Sequence, residues 1–306
     1  MTVWLAGSGV VGSRVERLLD ASTVRTFSLR RDPLPPVGDG DIAVLASGGS
    51  HGSIAAELIA RGVHVISGSD DSNDVADLID LNNEATRRGV SVVVGASFSP
   101  GLSGLLARYL AEQFATIDEI HVATHGTAGP ACARVHHRSL SGRAPGFVDG
   151  EWEDFHGGAG RELCWFPEPI GALDCYRAES AVPMLLHQSF PEVRRISSRR
   201  SATRRDRLTA RLPMLSPPHA EGGVGALRVE VRGAARSGAR ETMVLGVAEL
   251  VGSAAAAVMA AYVAECAARR LPPGVVLTSD ANVDFLRLLE RVQDAGVRIQ
   301  EFTGMN

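Results

Sequence analysis

The sequence predicts an α/β protein: an N-terminal doubly wound parallel sheet, then a second α+β domain on a mixed or antiparallel sheet. Three observations carry this. Short apolar runs of four to six residues alternate with helical segments through the first hundred residues, the pattern of βα units. A Gly-x-Gly-x-x-Gly segment, Gly7-Ser8-Gly9-Val10-Val11-Gly12, sits between the first run and the first helix. Past residue 122 the pattern changes to scattered runs broken by Gly and Pro.

Residues 2–6 are an apolar, β-branched run and predict a buried parallel strand. Residues 13–20 place Val15, Leu18 and Leu19 at helical spacing. The glycine segment between them therefore has the strand-turn-helix context of a dinucleotide fingerprint. Gly7 suits the tight turn, Gly9 lets a pyrophosphate approach the backbone, and Gly12 lets helix and strand pack closely. The helix N-terminus then offers free N–H groups and partial positive charge to phosphate. This makes residues 1–122 a dinucleotide-binding domain of Rossmann type. Residues 123–306 are expected to form a substrate and oligomerisation domain, with about 243–306 packing back on the first.

Further along, residues 24–29, 41–46, 63–66 and 91–94 read as strands, and 54–61, 75–88 and 103–114 as helices. Loops at 47–52, 67–72 and 95–102 leave the carboxyl ends of strands, where open α/β sheets bind ligands. In the second part, 119–124 and 226–231 read as strands and 126–150 as a polar, Gly-rich stretch. The Ala-rich segment 243–270 and residues 285–295 read as helices, and 297–302 as a last strand.

The composition is that of an ordinary globular chain, 45% hydrophobic and 22% charged, and the net charge of −4 gives no case for nucleic acid or membrane partners. There is no lysine, so all 31 basic residues are arginine, and neither a Schiff-base lysine nor a lysine general acid can operate here. Cys132, Cys164, Cys175 and Cys266 form no Cys-x-x-Cys pair, and no His/Asp/Glu spacing suggests a metal. Reduced thiols and the absence of a leader segment lead to the expectation of a cytoplasmic protein. The most apolar stretch, residues 250–264, is shorter than the ~20 residues a membrane span needs.

The end of the second strand bears on cofactor choice. An NAD site usually places an acidic residue there, whereas this chain has Ser28, Arg30 and Arg31. A hydroxyl and two guanidiniums suit a 2′-phosphate, so NADP is expected over NAD. Ser47, Gly48, Gly49 and His51, at the third strand's end, are the other expected cofactor contacts.

The layout resembles the saccharopine dehydrogenase-like oxidoreductases, the group that includes saccharopine reductase and carboxynorspermidine synthase. Three places carry the resemblance: Gly7 to Gly12; Gly62-Val63-His64-Val65-Ile66 with Asp70-Asp71 after it; and the Gly-x-x-x-x-Pro-Gly-Leu segment from Gly95 that opens a helix. The Pro-Pro-Gly at 272–274 is also similar. The family often has an aspartate in the strand where this chain has Ile66-Ser67, and Asp70 or Asp71 is the candidate replacement. The resemblance implies NAD(P)-dependent chemistry at a carbon–nitrogen bond of a small amino-acid-derived substrate.

Hydride transfer needs a placed nicotinamide, a substrate anchor and often a proton donor. His125 and His121 are the expected donors, with Asp70 as a third candidate. Arg134 and Arg138 are the expected carboxylate anchors, with Ser97, Pro100 and Gly101 facing the substrate. The eight arginines between 194 and 211, against one aspartate, read as a solvated face or an anion-binding one. The partners expected are a small carboxylate-bearing molecule and a second copy of the chain. Two other readings remain. A non-catalytic NADP-binding sensor would keep the glycines without the chemistry, and a methyltransferase would need an acidic residue where Arg30 stands.

Overall fold

The computed structural model describes residues 1–29, 34–214 and 218–301. The first half alternates as the sequence predicts: β1 (Val3–Ala6), α1 (Val10–Leu18), β2 (Val24–Phe27), β3 (Ile42–Leu45), α2 (Gly52–Ala60), β4 (His64–Ser67), α3 (Ser72–Asp80), α4 (Asn82–Arg88), β5 (Ser91–Val94) and α5 (Ser103–Ala111). These strands are short because helices cover both faces of the sheet, so apolar side chains serve on both sides. Ile42, Ala43, Val44 and Leu45 are all fully buried. Each large apolar side chain removed from water in this way contributes about 1.5–3 kcal/mol. The helix read over 75–88 is two helices, α3 and α4, meeting at Leu81.

The second half comprises β6 (Phe114–His125), α6 (Pro130–Ser139), β7 (Arg143–Val148), β8 (Glu151–His156), β9 (Glu162–Phe166), β10 (Gly171–Arg177), α7 (Val182–Ser189), β11 (Arg195–Ser201), α8 (Arg204–Thr209), β12 (Val224–Ala235), β13 (Arg240–Leu250), α9 (Val251–Ala267), β14 (Gly274–Leu277), α10 (Phe285–Asp294) and β15 (Ile299–Glu301). Two readings are corrected here. Residues 126–150 contain helix α6, which begins with Pro130 in its first turn, where a missing N–H has no cost. The helix read over 243–270 is a strand and a helix: β13 ends at Leu250 and α9 begins at Val251. Residues 240–250 become a strand because they pair with β12 through eleven registered positions.

Among the described residues there are two sheets. The first is parallel throughout, in the order β2-β1-β3-β4-β5-β14. The chain steps from β1 outward to β2, then returns to β3 on the other side of β1, so the order reverses between β1 and β3. A crevice at such a switch point is where open α/β sheets bind ligands. The second sheet is mixed, in the order β15-β13-β12-β6-β11-β10-β9, with β7 pairing β11 and β8. Its one parallel pairing on that path is β6 with β11, and its neighbours run antiparallel.

Helix α9 joins the two halves. It is apolar around its circumference, and Ala254, Ala256, Val258 and Tyr262 are at most 1% exposed, as expected of a helix surrounded by protein. Its N-terminal Gly252 leaves room for Val10 and Arg14 of α1, since a Cβ there would lie 2.8 Å from Val10 Cγ1. Its far end is tied down by Glu265, 2% exposed, which accepts from Arg270 Nε at 2.6 Å and Arg291 Nε at 2.7 Å. Burial alone would raise the Glu265 pKa, but these two guanidiniums outweigh it and lower it. No helix of the described residues is long and apolar enough to cross a membrane.

Candidate active site

The crevice between β1 and β3 is shaped by glycines whose roles separate clearly. Gly7 has φ +127°, and a Cβ on it would meet the Ala46 carbonyl carbon at 2.8 Å. A Cβ on Gly12 would lie 1.7 Å from the Gly7 carbonyl oxygen. Both glycines are therefore required by packing. Gly9 differs: it is exposed, and a Cβ there would meet nothing within 4 Å. It is also the N-cap of α1, with no side-chain cap. Ser8 is likewise exposed, while Val10 and Val11 are half-buried on the first turn of α1. An uncapped helix N-terminus beside open space fits a dinucleotide's pyrophosphate.

The loop after β3 forms the facing wall. Gly48 and Gly49 are exposed, and Gly49 has φ +110° with open space around its missing Cβ. Ser47 Oγ is buried with no hydrogen-bond partner among the described residues. His51 is a correction: it is 1% exposed and turned inward, not toward the crevice. Its Nε2 donates to the Ser47 carbonyl at 3.0 Å, and its Nδ1 takes the Ser67 hydroxyl at 2.8 Å. Burial holds its pKa below the usual histidine value, against the pull of Asp74, so it is neutral. His51 holds this loop to β4 rather than touching a cofactor. Ser28 follows β2 and is half-buried. Arg30 and Arg31 lie outside the described residues.

The second domain closes the crevice with α6. A Cβ on Gly129 would lie 2.7 Å from Val10 Cγ2, and one on Gly48 would lie 3.9 Å from Ala131 Cβ. The start of α6 therefore sits against both walls. The inward side of α6 carries Cys132 and His136, with Cys132 Sγ 3.3 Å from His136 Nε2. Arg134 and Arg138 lie on the opposite side of the helix and are exposed. They do not face the crevice, which corrects their reading as carboxylate anchors.

Arg200 of β11 lies against Asp70 at the end of β4. It is 7% exposed, and its Nη2 lies 3.5 Å from Asp70 Oδ2. Its Nε and Nη1 are buried with no hydrogen-bond partner among the described residues. Unmet buried donors on a cation are costly, about 1–3 kcal/mol or more each. Burial lowers the Arg200 pKa, and Asp70 and Cys132 act against that. Arg200 in turn helps burial keep His136 well below the usual histidine value.

Asp70 follows β4 and faces this arginine with its side chain 19% exposed. Its Oδ1 accepts from Ser180 Oγ at 3.1 Å and from the Ala181 N–H at 3.4 Å. Burial raises its pKa to about 6, and Arg200, Ser180 and Ala181 only partly offset that. Asp70 is thus a carboxyl group that changes protonation near neutrality, beside a buried cation at the carboxyl end of a parallel strand. The neighbouring Asp71 is committed elsewhere, as N-cap of α3.

The other expected site residues lie apart from this cluster. On β6, Ile120 and Val122 belong to the main core, so His121, Ala123 and His125 point to the opposite face. That face near His125 is filled by Ala123, Cys164, Phe166, Cys175 and Ala226. His125 Nδ1 bonds Ser201 Oγ at 2.7 Å, its ring lies 6.5 Å from Phe166, and burial lowers its pKa. His121 bonds Ser197 and Glu119. Neither histidine faces the Asp70–Arg200 pair. Pro100 and Gly101 are buried, and a Cβ on Gly101 would lie 2.8 Å from the Gly95 carbonyl oxygen. They shape the turn into α5 and are not surfaces for a ligand. Ser97 is half-buried, with its hydroxyl 3.4 Å from the Gly95 carbonyl.

No family model and no curated protein matches the sequence. Among solved structures, the apo histidine-tagged saccharopine dehydrogenase (L-Glu forming) of Saccharomyces cerevisiae is similar with a TM-score of 0.70. The match covers 99% of this chain and 100% of that one at 13% identity. The chain has the fold of saccharopine dehydrogenase. Weaker likenesses are to a probable dehydrogenase of Thermotoga maritima (TM-score 0.48, 10% identity, 98% of each chain) and a meso-dapdh variant of Clostridium tetani (TM-score 0.46, 14% identity, 94% of this chain and 95% of that one). The fold expected from the glycine, Gly62–Ile66 and Pro100-Gly101 segments is thus the fold observed.

Proposed function

We propose that this chain is an NADP(H)-dependent oxidoreductase that reduces an imine, or oxidises the corresponding amine, of a small amino-acid-derived substrate. The observation that carries the reading is the Asp70–Arg200 pair beside a crevice whose glycines fit a dinucleotide. The fold shared with saccharopine dehydrogenase supports it. The N–H groups at the start of α1, with Gly48 and Gly49 opposite, would hold the dinucleotide phosphates. Ser28, Arg30 and Arg31 would take a 2′-phosphate. A bound nicotinamide supplies or accepts the hydride.

The chain's own residues do the rest. Arg200 binds the substrate carboxylate through the donors that Asp70 leaves unmet. Asp70 holds the proton that the nitrogen gains on reduction or loses on oxidation, and a pKa of about 6 suits both directions. Ser180 and the Ala181 N–H donate to one carboxylate oxygen and Arg200 to the other, so the three together hold the group that carries the proton in place. The test is direct: titrate NADPH and NADH calorimetrically, then follow NADPH loss with a panel of 2-oxo acids plus amines. Preferential NADPH binding with turnover on such pairs supports the reading. Binding without turnover on any pair favours the non-catalytic sensor, and turnover only on alcohols or sugars refutes the carbon–nitrogen assignment.

A further inference from the structure

On the sheet face turned away from the crevice, three side chains form a chain of hydrogen bonds that the proposed reaction does not use. Strand register sets Ser197 of β11 opposite His121 of β6. Ser197 Oγ lies 2.8 Å from His121 Nδ1, and His121 Nε2 lies 2.9 Å from Glu119 Oε2. When Nε2–H donates to the carboxylate, Nδ1 is left as an acceptor for the serine O–H. The order is then hydroxyl, imidazole base and orienting carboxylate, the arrangement that activates a serine for covalent catalysis. All three are reachable from solvent: the His121 and Glu119 side chains are 20% and 25% exposed, and Ser197 is half-buried.

The surroundings add two cations, and one of them, Arg232, places its Nη1 3.3 Å from Glu119 Oε2, the oxygen that His121 bonds. Arg195 is two residues before Ser197 and so shares its face. Its Nη1 lies 3.9 Å from Glu119 Oε1, and its Nη2 lies 3.2 Å from Asp149 Oδ1. Across the strand pair, Glu230 of β12 is in register with His121 but is held by Arg228 and Arg232. The same face also contains an internal control. Four residues along both strands, Ser201 Oγ meets His125 Nδ1 at 2.7 Å. Among the described residues no carboxylate bonds His125 Nε2. The two serine–histidine pairs therefore differ in the orienting carboxylate.

We propose that Ser197, His121 and Glu119 form a second site that takes an acyl group from activated carboxylic esters. Ser197 Oγ bonds to the acyl carbon as the ester C–O bond breaks. The hydroxyl proton passes to His121 Nδ1 and from there to the departing alcohol oxygen. Water then attacks the acyl-serine with His121 as base, releasing the acid and restoring Ser197. No redox partner is required, and Arg195 is the cation available to the developing oxyanion.

The experiment treats the full chain with p-nitrophenyl acetate and maps acetylation by peptide mass spectrometry, without any variant at first. Both serines have a histidine base, so acetylation at Ser197 is expected to outpace that at Ser201 by the factor the orienting carboxylate contributes, the same factor that Glu119→Gln removes. Ser197→Ala should abolish this acetylation while NADPH binding and melting temperature stay at wild-type values. His121→Ala should slow it by about 10²-fold or more. Glu119→Gln should slow it by a smaller factor, because His121 remains. Equal modification of Ser197 and Ser201, or acetylation unaffected by His121→Ala, overturns the proposal. Neither result bears on the dinucleotide reaction, which uses the other face of the sheet.

Discussion

Replacing Gly9 and Gly12 by alanine, one at a time, separates a residue that the fold requires from one that a ligand requires. The two glycines are three positions apart, Gly9 at the N-cap of α1 and Gly12 in its first turn. At Gly12 a Cβ would lie 1.7 Å from the Gly7 carbonyl oxygen and 2.7 Å from its carbonyl carbon, so the helix and the turn must move apart. Overpacking of this kind costs about 1–3 kcal/mol or more, several degrees of melting temperature in a chain of this size. At Gly9 the backbone is extended (φ −80°, ψ −170°) and the Cβ meets nothing within 4 Å. The fold should therefore change by no more than about 1 kcal/mol, a small loss at the helix cap set against a gain from the less flexible unfolded chain. The ligand is affected differently, because the methyl group occupies the space a pyrophosphate needs. Losing one charge-assisted hydrogen bond, about 1.5–3 kcal/mol, weakens binding by about 10- to 100-fold. Calorimetric NADPH titration and thermal melting of both variants give the comparison. Gly9→Ala is expected to melt like wild type and bind poorly. Wild-type NADPH affinity in Gly9→Ala would refute the placement of the phosphates over Gly9.

Three further outcomes are expected. Asp70 has a pKa raised by burial from 3.8 to about 6, so the folded state holds its proton more tightly than the unfolded state. Stability from this group is therefore full below pH ~4 and lost as pH rises through about 6. At 1.36 kcal/mol per unit, denaturant unfolding should show wild type losing on the order of 3 kcal/mol relative to Asp70→Asn between pH 4 and pH 7. A parallel pair of curves would mean that Asp70 titrates normally. Glu265→Ala removes the buried acceptor shared by Arg270 and Arg291 and should cost about 2–3 kcal/mol, as hydrogen bonds to charged groups do; an unchanged melting temperature would show that this tie is dispensable. Arg134→Ala should leave both stability and steady-state kinetics within experimental error, since Arg134 lies exposed on the outer side of α6; a raised KM there would reinstate it as the anchor.

The parts of the fold written in local signals were legible. The glycine segment and the buried runs at β1, β3, β4 and β5 fix their structure within a few residues, and the structure keeps them. Strand β13 was not legible, because residues 240–250 run into an Ala-rich helix without a proline and owe their conformation to pairing with β12. Helix α6 could have been read from Gly129-Pro130, a helix-start signal within a polar stretch. The candidate site shows the same division. Asp70 was visible as an acidic residue after a strand, but Arg200 is 130 positions away and was one of eight arginines in a charged run. A local signal for it did exist: Ile196 and Arg200 are four apart on β11 and share a face, and Ile196 is fully buried. His121 and His125 misled because the β6 alternation that buries Ile120 and Val122 turns both histidines the other way.

The measurement closest to the central claim is the steady-state kinetics of Arg200→Gln with the best 2-oxo acid and amine pair, read beside its NADPH titration. The variant keeps a polar side chain of similar length but loses the charge, the fork of donors and the partner of Asp70. If Arg200 anchors the substrate and Asp70 holds the proton, KM should rise and the pH profile governed by Asp70 should shift to higher pH, because Asp70 loses the cation that pulls its pKa down. NADPH affinity should stay at the wild-type value. Wild-type KM and an unshifted pH profile in Arg200→Gln would contradict the account.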